Sequence, residues 1–111
     1  MLSWQKAKEL SVFIYKLFGN SRDFGFRDQI QRATISISNN IAEGFERSSG
    51  KELRYLLYVA KGSCGEVKSM NYIALELKHI DQEDFEYIKN TTEEISRLLG
   101  GFIRKLDLTN H

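Results

Sequence analysis

The chain has 111 residues, which is enough for one domain, because two independent cores would each be too small to be stable. Its net charge is +1. Apolar residues make up 41% and charged residues 28%, which excludes a wholly disordered chain and a polycation. There is no proline to break helices, and the single cysteine, Cys64, excludes an intrachain disulfide and a multi-cysteine zinc site.

Four segments show the three- and four-residue spacing of apolar side chains that predicts amphipathic helices. The first covers about residues 3–18, with Ser3 as its N-cap and a left-handed residue at 19–20 as its end. Its predicted buried face consists of Trp4, Ala7, Leu10, Ser11, Ile14, Leu17 and Phe18. The second covers about residues 23–46. Its predicted face, which is less apolar, consists of Phe26, Ile30, Ala33, Ile37, Ile41 and Gly44 or Phe45.

The third and fourth segments have the clearest starts. Ser49 and Glu52 form a capping box, in which Ser49 caps the Glu52 amide and the Glu52 carboxylate reaches back. The face that follows consists of Leu53, Leu56, Leu57, Ala60, Cys64, Val67, Asn71, Ala74 and Leu77. Asp81 is the predicted N-cap of the fourth helix. The face of that helix consists of Phe85, Ile88, Thr92, Ile95, Leu99, Phe102 and Leu106. Gly100 and Gly101 interrupt it, and we expect them to let a neighbouring helix approach closely.

The spacing predicts an all-α fold, an up-down antiparallel four-helix bundle in a single domain over residues 1–111. Short connections make sequential helices antiparallel neighbours. No apolar stretch is long enough to span a membrane, and the start of the chain has no apolar run of signal-peptide length. Together with a free thiol, these features predict a cytoplasmic protein with no membrane partner.

Few residues of the chain are of the types that most often carry catalysis or bind metals. Cys64 lies on the apolar face of the third helix, and neither His79 nor His111 is placed to act as its base, so we interpret it as a small buried hydrophobe. Neither histidine has a second ligand at metal-binding spacing. We therefore expect no catalytic set, no metal, no cofactor, no small-molecule substrate and no enzymatic activity.

A cluster of small polar residues is the first unusual feature. The polar cluster consists of Ser36, Asn40, Glu43 and Gly44 on the second helix and Ser63 and Glu66 on the third. We predict that the Asn40 amide bonds to Ser63 or Glu66, because buried amides find partners. One interpretation is a pocket for a ligand or partner. The interpretation that we favour is a tightly packed hydrogen-bonded network, since polar core networks usually specify packing.

The second unusual feature is the distribution of charge. Residues 1–68 carry 11 Lys+Arg and 7 Asp+Glu, whereas residues 69–111 carry 5 and 8. A basic stripe on one arc of the third helix consists of Lys51, Arg54, Lys61 and Lys68, with Tyr58 among them. Such a stripe can neutralise phosphates and stack a base. The alternative, which the sequence alone favours, is the ordinary solvated face of a helix.

The second and third helices also carry residues that resemble a family signature. The first block is Gln29, Arg32, Ala33, Ser36, Ile37, Asn40, Ile41, Ala42, Glu43, Gly44 and Arg47, and the second is Ala60, Gly62, Ser63 and Glu66. In these residues the chain resembles a bacterial four-helix-bundle family first noticed in intervening sequences of large-subunit ribosomal RNA genes. That family is similar in fold to the accessory variability determinant of diversity-generating retroelements. The chain departs from the pattern at Thr34 and Ser38, which leaves the motif intact.

The resemblance implies a four-helix bundle, a ring-like homopentamer and an association with nucleic acid, with the shared small residues acting in packing and assembly. Independently, apolar and aromatic residues off the predicted core faces indicate further contact surfaces. They are Phe13, Tyr15, Ile35, Tyr55, Tyr72 and Tyr87.

The function predicted from the sequence is a non-enzymatic oligomeric bundle that binds RNA or DNA as an accessory of a nucleoprotein complex. The predicted phosphate contacts are Arg32, Arg47, Lys51, Arg54, Lys61 and Lys68, with Tyr58 stacking on a base. The alternative is a protein-interaction scaffold that docks a partner through the face of the fourth helix. A small-molecule or enzymatic bundle built on the polar cluster is a third interpretation.

Overall fold

Four helices account for most of the described chain, residues 1–47 and 49–109 of the computed structural model. They are α1 (Leu2–Phe18), α2 (Phe24–Glu46), α3 (Gly50–Glu76) and α4 (Gln82–Thr109). The described residues contain no strand, and α1 is the shortest helix, as predicted. His111 lies outside the described residues.

Each helix packs antiparallel to the one that follows it, and α1 also packs on α4, which closes the bundle. The rings of Phe18 and Phe26 meet at one end of the α1–α2 pair, with their centroids 5.8 Å apart. Further along the same pair, Ser11 donates a 3.2 Å hydrogen bond to the Thr34 carbonyl. The predicted up-down antiparallel four-helix bundle is confirmed.

The core is built mainly from the predicted faces, with three exceptions. Trp4, Leu77 and Phe102 are 37%, 53% and 37% exposed, so their predicted burial is wrong. Trp4 lies in the first turn of α1, and Leu77 caps α3 beyond its last helical turn. In α4 the place of Phe102 is taken by Ile103, which is 4% exposed. A strict seven-residue repeat drifts by about 20° per heptad on a straight helix, so the buried position shifts to the next residue.

Two of the predicted N-caps are confirmed. Ser49 Oγ accepts the Glu52 amide at 3.4 Å, and Asp81 Oδ1 accepts the Asp84 amide at 2.8 Å. Such caps satisfy backbone amides that have no partner within the helix. The Glu52 carboxylate accepts a hydrogen bond from Arg47 instead of serving the predicted return half of the capping box.

The predicted ends of α1 are wrong. Ser3 is not the N-cap: the helix begins one residue earlier, at Leu2, and Ser3 is buried inside the first turn without a partner for its hydroxyl. Gly19 ends α1 in a right-handed conformation, with φ −57°. Among the described residues the left-handed conformation occurs at Lys78, with φ 61°, just after α3. The turn there needs it, because His79 donates its amide back to the Ala74 carbonyl.

The glycines at 100–101 do not bring helices close together, contrary to the prediction. A Cβ built on Gly100 would meet only the ends of two flexible side chains, Lys61 and Arg104, each at 3.5 Å. Close approach occurs instead at Gly44 of α2, where a Cβ would lie 3.1 Å from Leu53 Cδ1. No helix of the described chain is long and apolar enough to cross a membrane.

Candidate nucleic-acid interface

The cations of the predicted basic stripe do not share one environment. Lys51 is exposed in the first turn of α3, whereas the other three are half-buried beside α4. Arg54 donates to the Asp107 carboxylate, and Lys68 Nζ lies 3.1 Å from Glu93 Oε2. Two of the four positive charges are therefore already paired across the α3–α4 interface.

Tyr58 lies beside the stripe and keeps much of its ring accessible. The Arg54 guanidinium lies 4.8 Å from the ring centroid, which is cation–π geometry, and the residue is 47% exposed. The hydrogen bond with Asp107 raises the pKa of Arg54, so this cation stays charged. The ring is thus held beside a fixed positive charge, with part of its surface open to solvent.

Arg32 lies on α2 and Arg47 caps the C-terminal end of that helix, both away from the contact between α3 and α4. Arg47 pairs with Glu43 at 2.7 Å and with Glu52, and the bond to Glu43 contributes most to raising its pKa. Arg32 is exposed and lines a cavity between α2 and α3. The structure therefore does not bring these two predicted phosphate contacts together with Lys61 and Lys68.

Ser36 stands at the centre of the polar cluster. Its hydroxyl lies 3.0 Å from both Asn40 Nδ2 and Ser63 Oγ, and Asn40 also donates to the Ser36 carbonyl at 2.7 Å. The predicted direct bond from Asn40 to α3 is wrong, because the amide bonds within α2 and Ser36 makes the link to Ser63. Asn40 is half-buried, so water also reaches part of this network.

The cavity beside the polar cluster has a volume of about 520 Å³ and is open to solvent. At its edge Gln29 Nε2 donates to Glu66 Oε2 at 3.4 Å, which joins α2 to α3. Two pairs of lining groups, Gln29 with Glu66 and Ser36 with Ser63, are thus hydrogen-bonded across the interface. Next to the cluster, Gly44 packs against Leu53 and Leu56, with a Cβ position only 3.1 and 3.4 Å from their carbons. The α2–α3 contact is therefore close at Gly44, and the cavity beside the polar cluster is nearly neutral, with one arginine and one glutamate in its lining.

The basic groove, between α3 and α4, has the opposite character. It encloses about 550 Å³ and is lined by Lys61, Cys64, Gly65, Lys68, Thr92, Glu93, Ser96, Arg97, Gly100 and Arg104. Four of these ten residues are cations, and Glu93 is the single acid among them. Small side chains at its floor keep the groove open.

Lys61 and Arg104 approach each other over Gly100 at one end of the basic groove. Lys61 Cε and Arg104 Nη1 each lie 3.5 Å from the position that a Gly100 Cβ would take, so they are at most twice that distance apart. Neither side chain forms an ion pair within the described residues. Two like charges converge here without a carboxylate between them.

Cys64 lies at the floor of the groove and its thiol is unreactive. Burial raises the pKa of its thiol to about 12, and the nearby Lys61 charge opposes this only in part. The thiolate is the nucleophilic form, so the thiol is unreactive near neutral pH. The interpretation of Cys64 as a small buried hydrophobe is confirmed. The described residues contain no group of three or more His, Cys, Asp and Glu that could hold a metal ion.

The α1–α2 side of the bundle carries an exposed apolar strip. Trp4, Val12 and Tyr15 of α1 are exposed, and Ile35 of α2 is half-buried beside them. Two shallow cavities, of about 220 and 310 Å³, lie along this strip. Phe13, in contrast, packs against the core, so its predicted place in a contact surface is wrong.

Comparison with known proteins places this bundle in a family. The model of the 23S rRNA-intervening sequence protein family matches residues 1–101. The chain belongs to this family. A similar solved structure is the crystal structure of a protein of unknown function from the S23 ribosomal protein family of Bacteroides thetaiotaomicron. It is 28% identical, with a TM-score of 0.85, and the match covers 91% of this chain and 97% of that chain. The curated proteins contain no match.

Two arginines that line the groove, Arg97 and Arg104, were not among the phosphate contacts predicted from the sequence. They are seven residues apart on α4 and flank Gly100, and this spacing places both on one helix face. The signal was hidden because the half of the chain that contains α4 is acidic overall. Only the antiparallel pairing with α3 brings these arginines beside Lys61 and Lys68.

Proposed function

We propose that this member of the intervening-sequence protein family is a non-enzymatic, self-associating helical bundle. It binds RNA or DNA as an accessory of a nucleoprotein complex in the bacterial cytoplasm. The observation that carries the proposal is the basic groove, which gathers four cations and one acid along the α3–α4 contact. Nucleic-acid backbones carry closely spaced phosphates, and cations that neutralise them release bound counterions.

The surroundings of the basic groove support nucleic acid as its ligand. Lys51 extends the positive surface along α3, and the open Tyr58 ring offers a stacking surface next to it. Phosphate contacts together with accessible aromatic rings are typical of binding that depends little on base sequence. The net charge of +1 is no obstacle, because the groove lining by itself carries four cations and one acid.

Self-association is supported by the apolar strip on the α1–α2 side. Trp4 and Tyr15 expose large aromatic surfaces there, and aromatic residues are enriched at the centres of protein interfaces. The family resemblance implies a ring of five copies. A ring would repeat the basic groove five times, and such multivalency converts weak contacts into useful affinity.

The absence of catalysis is part of the same proposal. Burial holds the single cysteine, Cys64, protonated, which removes the strongest nucleophile of the chain. His79 lies at the end of the bundle, where its Nε2 lies 3.0 Å from Asp23 Oδ2. This arrangement joins two loops and leaves no histidine of the described chain near Cys64.

A protein-interaction scaffold is the second candidate function. Tyr55 and Ile73 on the outer face of α3 are 65% and 47% exposed, and Leu108 on α4 is exposed as well. Exposed apolar side chains of this size are typical of docking surfaces when they lie together. On this alternative the ring would present its helices to another protein, and nucleic acid would not bind.

The test is a titration of single-stranded and duplex RNA and DNA at two salt concentrations, with the mass of the protein followed by light scattering. We expect binding at low salt, and a triple variant with Lys51, Arg54 and Lys61 changed to Ala should lower the slope of log affinity against log salt. Each lost phosphate contact reduces that slope by about 0.7–0.9. An absence of wild-type binding at low salt contradicts the nucleic-acid proposal and favours the scaffold. A monomer mass at every concentration contradicts self-association.

A further inference from the structure

Lys61 and Arg104 are two neighbouring cations without a negative charge of the described residues between them, and an anion placed there would be attracted to both. Both approach the same point above Gly100, each at 3.5 Å from the missing Cβ, and neither has a carboxylate partner in the described chain. Two positive charges at this separation repel each other, and an anion between them is attracted to both. Surface cations usually turn away from each other into solvent unless an anion holds them together.

The rest of the basic groove restricts where that anion can lie. At the far end of the groove Lys68 is paired with Glu93, and beyond the end that contains Lys61, Arg54 is paired with Asp107. Lys61 is seven residues from both Arg54 and Lys68, which is about 10 Å along a helix in each direction. Groove cations without a salt bridge in the described chain therefore remain at Lys61 and Arg104, over the bare backbone of Gly100, and at Arg97 on the other side of that glycine.

The neighbouring aromatic ring indicates which kind of nucleic acid fits. Tyr58 lies one turn from Lys61 on α3, and its ring is partly open to solvent beside the Arg54 guanidinium. A base can stack on such a ring only when its own face is free, as in a single strand. Duplexes present phosphates but keep their base faces inside the stack.

We propose that the basic groove is a single-strand site, in which Lys61 and Arg104 hold one backbone phosphate over Gly100 while Tyr58 stacks on the adjoining base. This inference rests on the proposed function and narrows it to single-stranded RNA or DNA. It also assigns the phosphate contact to Arg104, in place of Arg32 and Arg47, which were predicted from the sequence.

The first experiment compares two double variants with the same loss of charge. Lys61→Gln with Arg104→Gln removes the phosphate clamp, and Lys16→Gln with Lys105→Gln removes two charges outside the groove lining. The probes are a labelled single strand of about 16 nucleotides and its duplex. We expect the wild type to prefer the single strand. The groove variant should lose roughly tenfold or more in affinity and about 0.7 in salt slope, the value for one phosphate contact on a single strand, whereas the control loses less than half of each.

A second pair of variants fills the site from within the chain. Gly100→Glu places a carboxylate between Lys61 and Arg104, where it forms internal ion pairs, and Gly100→Gln adds nearly the same bulk without charge. We expect the Glu variant to lose binding as fully as the double variant, and the Gln variant to lose clearly less. Tyr58→Leu should weaken binding of the single strand selectively, while Tyr58→Phe retains it.

The outcomes separate this inference from the proposed function. A wild type that binds no probe at low salt overturns both. A wild type that binds, with a folded groove variant that binds as well as the control, overturns the single-strand site and leaves nucleic-acid binding standing elsewhere. Tighter binding of the duplex than of the single strand also overturns the inference. Folding is checked by helical circular dichroism and melting, and we expect no loss because neither cation has an ion-pair partner in the described chain.

Discussion

Helix α3 packs on α2 along one side and on α4 along another, and the two contacts differ in kind although both contain glycine and serine. On the α2 side, Gly44 packs against Leu53, and Ser36 is hydrogen-bonded to Asn40 and Ser63. On the α4 side, Gly100 meets only the ends of two charged side chains. Gly44 allows close packing in the first contact, whereas Gly100 lies in the lining of an open groove in the second.

This difference shows that a small residue in a helix can have either of two effects on the contact with a neighbouring helix. A missing side chain allows close packing when the opposite helix presents apolar branches, as Leu53 does for Gly44. It creates a groove when the flanking residues are long and charged, as Lys61 and Arg104 are at Gly100. On the proposed function, the α2–α3 contact stabilises the fold and the basic groove binds the nucleic acid.

The largest expected effect separates the two glycines directly. Gly44→Leu forces a branched side chain against Leu53 and Leu56, and we expect a loss of about 1–3 kcal/mol in the free energy of unfolding. Gly100→Leu, its matched control, meets only flexible side-chain ends and should leave the fold at least as stable, since glycine is a poor helix former. Denaturant unfolding of both variants checks this, and an equal loss at the two positions would erase the contrast.

The hydrogen-bonded network around Ser36 should have a smaller effect. Asn40→Leu removes the amide that donates to Ser36 and leaves the hydroxyl one partner short. We expect a loss of about 0.5–1.5 kcal/mol, because Asn40 is half-buried and water replaces part of the bond. Asn39→Leu, at the exposed neighbouring position, should change stability by less than about 0.5 kcal/mol. If Asn40→Leu melts at or above the wild-type temperature, the network does not stabilise this contact.

On the other side of α3, removing the acid of the groove should strengthen binding. Glu93→Gln releases Lys68 from its ion pair and increases the positive charge of the groove. We expect the affinity for a single strand to rise roughly two- to fivefold at low salt. Glu94→Gln is the matched control, since Glu94 pairs with Lys6 at 3.7 Å on the α1 side. Equal changes in the two variants would mean that net charge, and not the groove, determines binding.

The smallest expected effect is the pH dependence of the Lys68–Glu93 pair. The hydrogen bond from Lys68 lowers the pKa of Glu93 below its ordinary value of 4.5. A carboxyl group whose pKa is lowered by folding stabilises the fold above its unfolded pKa and loses that contribution as the pH falls through the folded pKa. The wild type should therefore be slightly more stable than Glu93→Gln near neutral pH, and the difference should vanish below the lowered pKa. Melting curves at several pH values measure it, and a difference that grows on acidification would reverse the predicted sign.

Much of the fold could be read from the sequence because local rules determine it. Ser49 and Asp81 cap their helices as predicted, and apolar spacing placed most of the core. One error falls at a helix end, where periodicity gives no boundary: Ser3 lies inside α1. Another falls late in the long helix α4, where Ile103 replaces Phe102 in the core. A helix register that drifts by a fraction of a residue per turn cannot be extrapolated along a long helix.

The candidate site was only half predictable. Lys61 and Lys68 are visible as a basic stripe on α3, because residues seven apart share a helix face. Arg104 became part of the site only through the pairing of α3 with α4, which depends on register between distant segments. Asn40 shows the same limit, because its amide donates a hydrogen bond to the Ser36 carbonyl within α2 and not to a residue of α3.

Arginine footprinting on the wild-type protein tests the central claim most directly. Arg32 lines the cavity between α2 and α3, Arg104 lines the basic groove, and both are exposed, so both react with an arginine-selective dicarbonyl reagent in the free protein. With saturating single-stranded oligonucleotide, we predict that Arg104 is protected from modification, as read by mass spectrometry, and that Arg32 is not. Protection of Arg32 with Arg104 still reactive would contradict the account, because it would place the bound strand on the contact assigned to stability.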